Sequence, residues 1–401
     1  MIRIVIMGGG VAGTSAAFSA RHYDPQAEII IVTDEPFPLY SACVLPEYLS
    51  GDIKWDQVFL KKQSDYVRYG IKTILGQRVQ KIDPAKKRLI LNDSVLNYDK
   101  LIIATGSRAA LPNIKGGHLK DVFTFKTLAD ANKVLRLVSN RRESAAVVGA
   151  GPIGVEVAAA LRKKGLQVFL VEIMDRILPR LFDGDLATLL ERPLVEKGIE
   201  VLKGTKVTEI LGSDQVSGIR LEGDRIGCDL VIFCAGTKPN VELAQEAGIT
   251  TGSFGGIKVD HLMMTNIEGI YSCGDCSEVD GSLSVLWADA RREGAAAGSN
   301  AAGLETKLTK LLNLTMINIF GLRAASVGMV PPSGEISKFD GRCGRGRYRL
   351  VSSKGKNVAA QVIEPDESAY TIVNAVVAGE EGATFRHPLL AGLMYDRRNR
   401  V

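Results

Sequence analysis

Apolar and polar positions along the chain repeat one block twice. Residues 3–35 run as a buried-strand stretch (RIVIMG), a glycine turn (GGGVAG), a small-residue helix (TSAAFSARHY) and a second apolar strand (AEIIIVTDE). Residues 145–172 repeat the order as AAVVGAGPIGVEVAAALRKKGLQVFLVE. A third pattern closes the chain, where NLTMINIFGLRAASVGMV reads as two further strand-like runs. The N-terminal apolar run breaks at Gly8 and has no positive leader, so it reads as a first strand and not as a signal peptide.

Each block carries glycines at G-x-G-x-x-G spacing between a strand and a helix: Gly8, Gly10 and Gly13, then Gly149, Gly151 and Gly154, with Ile153 inside the second turn. The first glycine allows the tight turn, the second lets backbone approach a pyrophosphate, and the third lets helix and strand pack closely. The helix N-terminus then faces the phosphate charge. An acid at the end of the second strand is expected to bind a ribose; Asp34 and Glu35 stand there in the first block and Glu172 in the second. Two dinucleotide sites in one chain suggest two cofactors that exchange electrons. A carboxylate at Glu172 favours a free 2′-hydroxyl over a 2′-phosphate, which predicts NADH over NADPH; Arg176 is the residue that could reverse this.

Composition narrows the class. The chain has 401 residues, 46% apolar and 24% charged, with six cysteines, too few for a disulfide scaffold and consistent with a reduced, cytoplasmic protein. No uninterrupted apolar run reaches the length of a membrane span. The net charge of +5 is local: residues 304–401 hold 14 Lys or Arg against 9 Asp or Glu, which leaves the first 303 residues neutral. Two basic stretches, KFDGRCGRGRYRL and FRHPLLAGLMYDRRNRV, are either solvated faces or a surface for an acidic partner: a ferredoxin-like carrier, an iron–sulfur subunit or coenzyme A phosphates. Thin aromatic interleaving argues against nucleic acid. His261 and His387 show no metal-ligand spacing and read as structural or surface residues.

On these motifs the chain resembles the pyridine nucleotide–disulfide oxidoreductases, the FAD and NAD(P)H flavoenzymes, over about residues 1–300. YDKLIIATGSRAALP, centred on Thr105 and Gly106, is similar to the strand and crossover after the first FAD segment. LVIFCAGTKPN, with Gly236, is similar to the matching strand end of the NAD half. TNIEGIYSCGDCSEV resembles the late FAD motif, in which Asp275 would bind the ribityl chain, and VQKIDPAKKRL, from Val79, resembles the segment whose backbone meets the adenine. The resemblance implies an α/β fold: two Rossmann-like domains, with FAD domain 1–114 and 246–303 split around NAD domain 115–245, then a small α+β C-terminal interface domain, 304–401. It implies FAD and NADH as cofactors, and a homodimer or a subunit of a larger redox complex. It places Glu156 near the nicotinamide and flavin edge; alternatively Glu156 is a first-turn acid favouring the helix dipole. Aligned on Cys43, the pattern puts Thr33 at the FAD ribose position and Asp34 one residue late.

Cys43, in YSACVLPEYLSG, decides the branch. Tyr48 stands where the two-cysteine reductases carry a second cysteine, so the segment resembles the single-cysteine branch: coenzyme A-disulfide and persulfide reductases and NADH oxidases or peroxidases. There the cysteine lies against flavin and cycles through a mixed disulfide, persulfide or sulfenic acid. Pro46 suits a first helical turn, and a thiol just ahead of a helix has more thiolate. The other reading is an NADH-linked electron-transfer flavoprotein serving a rubredoxin, ferredoxin or iron–sulfur partner, with Cys43 inert; a third is a non-catalytic NADH-binding sensor. Cys273 and Cys276 form a C-x-x-C, but packing is the expected role for them and for Cys228, Cys234 and Cys343.

Overall fold

The computed structural model describes residues 1–92, 94–139, 142–308, 312–329, 336–343, 346–354, 356–364 and 376. The two apolar blocks become two five-stranded parallel sheets. The first runs Ile270–Ser272, Lys100–Ile103, Arg3–Met7, Glu28–Val32, Ile71–Ile74; the second runs Val122–Thr124, Leu230–Phe233, Ser144–Val148, Gln167–Val171, Ile199–Leu202. Strands buried on both faces need continuous apolar runs, which is why Ile4–Ile6 and Ala145–Val147 are fully buried. The described α-helices are α1 (Val11–Tyr23), α2 (Leu45–Ser50), α3 (Gln63–Arg68), α4 (Leu128–Val138), α5 (Pro152–Lys163), α6 (Gly184–Glu196), α7 (Glu242–Glu246) and α8 (Trp287–Ala301). None of them is long and apolar enough to cross a membrane.

The chain leaves the first unit and returns to it through one antiparallel ribbon, in which Ser107–Ala109 pairs with Thr237–Pro239. At this crossing Thr105 Oγ1 donates to Asn240 O at 2.8 Å, and Asn240 Nδ2 donates to Thr105 O at 2.9 Å. On its return the chain supplies strand Ile270–Ser272 and α8. That helix lies on α1 with almost no side chain between them: a Cβ on Gly294 would fall 2.1 Å from Ala12 O, and one on Gly298 2.1 Å from Ala16 O.

α2 belongs to the core of the second unit although its sequence lies in the first. Its Leu45 and Leu49 are wholly buried among residues of α4 and α5, each contributing about 1.5–3 kcal/mol. Tyr48 Oη donates to Asn132 Oδ1 of α4 at 2.9 Å, and Lys163 of α5 pairs with Asp52 at 2.6 Å.

The closing strands form a five-stranded antiparallel sheet in the order Thr315–Ile319, Leu322–Gly328, Lys356–Ile363, Gly346–Ser353, Ile336–Cys343. It docks on the second unit through Arg349, which pairs with Asp183 at 2.9 Å, Asp185 at 2.8 Å and Asp340 at 2.7 Å, while Lys338 also reaches Asp183 at 2.6 Å. Part of the first basic stretch is thus spent inside the molecule. The second stretch, with His387, lies outside the described residues, as does the side chain of Cys343.

Candidate active site

The two glycine turns show three steric roles. Gly8 has φ +121°, and a Cβ there would lie 2.0 Å from Ala104 O; at Gly13 it would lie 2.0 Å from Gly8 O. The second turn matches: Gly149, at φ +104°, would place a Cβ 2.6 Å from Cys234 O, and Gly154 1.8 Å from Gly149 O. At Gly10 and Gly151 a Cβ would meet nothing within 4 Å, so each turn is closed against its own protein on two sides and open on the third. α1 and α5 follow these turns with no acid in the first turn and no side-chain cap, leaving amide donors free for an anion. This is the shape a dinucleotide pyrophosphate requires, and FAD in the first turn and NAD(P)H in the second both fit. Gly106 and Gly236, at φ +63° and +101°, likewise border open space, and Ile153 is exposed at the start of α5.

Register fixes which residues face the two turns. Gly8 N donates to Val32 O and Gly149 N to Val171 O, both at 2.8 Å. The counterpart of Glu172 is therefore Thr33, with Asp34 one residue beyond and exposed. Glu35 turns elsewhere: its Oε1 accepts from Tyr40 Oη at 2.9 Å, and Tyr40 Oη accepts from Leu128 N at 3.1 Å. Burial raises both the Glu35 carboxyl and the Tyr40 phenol. The acid expected after the first block's second strand is thus not opposite Gly8; the register puts a hydroxyl there.

Glu172 is buried and bends over its turn, where Oε2 accepts from Ala150 N at 2.7 Å and Oε1 from Met174 N at 2.9 Å. Arg176 points away from it, donating to Asp175 Oδ1 at 2.7 Å and to Phe182 O and Pro179 O at 3.4 Å.

Asp275 sits beside the crossover, where Ser107 Oγ donates to its Oδ2 at 2.7 Å and Lys126 Nζ approaches the same oxygen at 3.0 Å. Lys126 had no sequence signal, since it precedes its partner by 149 residues. Val79 opens an antiparallel strand, Val79–Asp83, and is buried.

Cys43 is half-buried in a 3-10 turn, Ala42–Val44, directly ahead of α2, with Pro46 in the first turn of that helix. Pro46, Glu47 and Ser50 of α2 line one cleft together with Glu156 and Lys163 of α5 and Asn318 of the closing sheet. Glu156 is buried, and its Oε1 accepts from Asn318 N at 3.0 Å. Among the other described cysteines, Cys273 and Cys276 are wholly buried, and burial pushes both thiols up; burial pushes Cys228 and Cys234 up to about 12. Thiols held protonated are poor nucleophiles.

Comparison with known proteins agrees with this geometry. Residues 2–294 match the family model described as pyridine nucleotide-disulphide oxidoreductase. An NADH oxidase of Methanocaldococcus jannaschii is 33% identical over 400 residues, covering 95% of this chain and 89% of that protein. An assimilatory nitrate reductase electron transfer subunit of Bacillus subtilis is 32% identical over 305 residues, covering 75% of this chain but 39% of that protein. The structure of an NAD-dependent persulfide reductase from A. fulgidus superposes with a TM-score of 0.86 at 30% identity, covering 94% of this chain and 77% of that one. The chain belongs to the pyridine nucleotide-disulphide oxidoreductase family, as an FAD-dependent NAD(P)H oxidoreductase.

Proposed function

We propose that the chain oxidises NADH and delivers the electrons to a disulfide, persulfide or peroxide acceptor through Cys43. FAD, when bound, accepts hydride from the nicotinamide and passes two electrons onward. The turn at Gly8, Gly10 and Gly13 takes the FAD pyrophosphate, Val79 meets the adenine, and Asp275, oriented by Ser107 and Lys126, accepts from the ribityl hydroxyls. Thr105 and Gly106 hold the crossover against Asn240. The turn at Gly149, Gly151 and Gly154, with Ile153 and Gly236 at its rim, takes NADH, and Glu172 accepts the ribose hydroxyls. Glu156 borders the nicotinamide side.

The observation that carries this reading is the place of Cys43, half-buried in the turn directly ahead of α2. α2 in turn packs its Leu45 and Leu49 into the core that holds α5, the helix that opens the second glycine turn. The Cys43 thiolate attacks an acceptor S–S bond and the displaced sulfur leaves, taking a proton from solvent to become a thiol; two electrons originating from NADH and one proton then cleave the mixed disulfide, releasing the second thiol and restoring the thiolate.

A second reading is favoured by the likeness to the Bacillus subtilis electron transfer subunit: electrons pass to an iron–sulfur or ferredoxin-like partner, and Cys43 is inert. Such a partner, or a second copy of the chain, would meet the closing sheet, whose outer strand exposes Ile336 and Phe339. The variant Cys43→Ser separates the two. It is expected to bind FAD and be reduced by NADH, yet lose at least about 100-fold of the turnover with coenzyme A disulfide or polysulfide. Wild-type protein that turns over neither acceptor, or a Ser variant as fast as wild type, would transfer the assignment to the second reading.

A further inference from the structure

Behind Asp275 stands a carboxylate that no cofactor contact accounts for. Glu293, on α8, is 1% exposed. Its Oε2 accepts from Gly274 N at 2.7 Å and from Ser277 Oγ at 2.6 Å, gripping the turn on both sides of Asp275. The surroundings leave the grip little play. Gly274 has φ +78°, and a Cβ there would lie 2.7 Å from the Ala12 side chain. Gly294, the next residue after Glu293, packs directly on Ala12 O. The head of α1, the Asp275 turn and α8 therefore form one packed unit with Glu293 inside it.

We propose that Glu293 is a positioning residue for FAD: its buried carboxyl, through Gly274 N and Ser277 Oγ, holds the turn that presents Asp275. This rests on the reading of Gly10 and Asp275 as FAD contacts. The charges around it favour the neutral form. Asp289, one turn earlier on α8, and Asp275 both oppose a negative Glu293, and the Cys273 thiol lies close by. The nearby cations are turned to other acids, Lys126 to Asp275 at 3.0 Å and Arg292 to Asp289 at 4.0 Å. α1 meets α8 through Ala12, Ala16 and the Ser19 hydroxyl, which bonds Ala295 O and Ser299 Oγ at 2.9 Å. Burial, partly offset by the two hydrogen bonds and reinforced by Asp289 and Asp275, pushes the carboxyl up to about 8 from its ordinary 4.5.

The sign follows from linkage. Between 4.5 and about 8 the folded protein holds a proton that the unfolded chain has lost. Stability of the apoprotein therefore falls as pH rises through that window and levels off above it.

The experiment measures FAD dissociation constants and apoprotein Tm from pH 6 to 9.5 for wild type, Glu293→Gln and Glu293→Ala. Gln keeps an acceptor oxygen and cannot ionise. Wild-type apoprotein should lose Tm as pH rises from 6 to 8, and the Gln variant should not. The Gln variant should match wild type in FAD affinity at pH 6, while Ala should bind FAD more weakly at every pH because Gly274 N–H loses its acceptor. A Gln variant that binds FAD as weakly as Ala, or an Ala variant with wild-type affinity, would overturn the proposal while leaving the cofactor assignment standing. Wild type that binds no FAD at any pH would overturn both.

Discussion

At the scale of residues, the two nucleotide turns differ most where their backbones agree best. Thr33 and Glu172 occupy the same register position, one strand residue beyond the carbonyl that holds the first glycine. The second turn therefore carries a buried carboxylate where the first carries a hydroxyl, and Arg176, the basic residue nearest Glu172 in sequence, is tied to Asp175, Pro179 and Phe182. Like charges brought together cost several kcal/mol. Wild type should prefer NADH over NADPH in kcat/KM, and Glu172→Gln should shrink that preference by on the order of tenfold, chiefly by improving NADPH. A ratio unchanged by the substitution would mean that Glu172 serves only to hold Ala150 N and Met174 N. The glycines and Glu172 were legible because their spacing is local. Lys126 and Glu293 were not. Lys126 meets Asp275 only after the chain has crossed into the second unit, and Glu293 belongs to no motif and gains its partners only when α8 is laid against α1.

At the scale of elements, the strand–turn–helix unit makes a prediction that separates folding from binding. Gly10 has φ −70° and ψ −170°, a conformation open to any residue, and its Cβ would enter empty space. Gly13 has no such room. Gly10→Ala should leave apoprotein stability within about 0.5 kcal/mol of wild type while weakening FAD at least tenfold, because the methyl group fills the approach to the pyrophosphate. Gly13→Ala should destabilise the apoprotein itself by about 1–3 kcal/mol, through the displacement of helix from turn. Thermal melts and FAD titrations of the two variants read this directly; normal FAD binding by Gly10→Ala would contradict a ligand lying across that turn. α2 teaches a different lesson. Its residues precede the first unit's third strand in sequence, yet Leu45 and Leu49 complete the core of the second. No periodicity announces that an amphipathic turn will pack on a helix more than a hundred residues away.

At the scale of the whole molecule, the first sheet is finished only when Ile270–Ser272 arrives beside Lys100–Ile103, after the second unit has been built. That split was visible through motifs and not through pattern, since a three-residue strand carries almost no periodic signal. The basic excess of the last quarter changes meaning in the same way. Lys338 and Arg349 bind Asp183 and Asp185 at the head of α6, so these charges fasten the closing sheet to the nucleotide unit and are not available to steer a partner. The central claim is that the two turns hold a flavin and NADH within reach of each other and of Cys43. Its most direct test is the absorbance of the FAD-loaded protein during anaerobic addition of NADH. The account predicts that NADH bleaches the oxidised-flavin band stoichiometrically in wild type and in Cys43→Ser alike, and that only wild type shows a long-wavelength thiolate-to-oxidised-flavin band before the flavin is fully reduced. A flavin spectrum that NADH leaves unchanged, or the same long-wavelength band in Cys43→Ser while the flavin is oxidised, would contradict it.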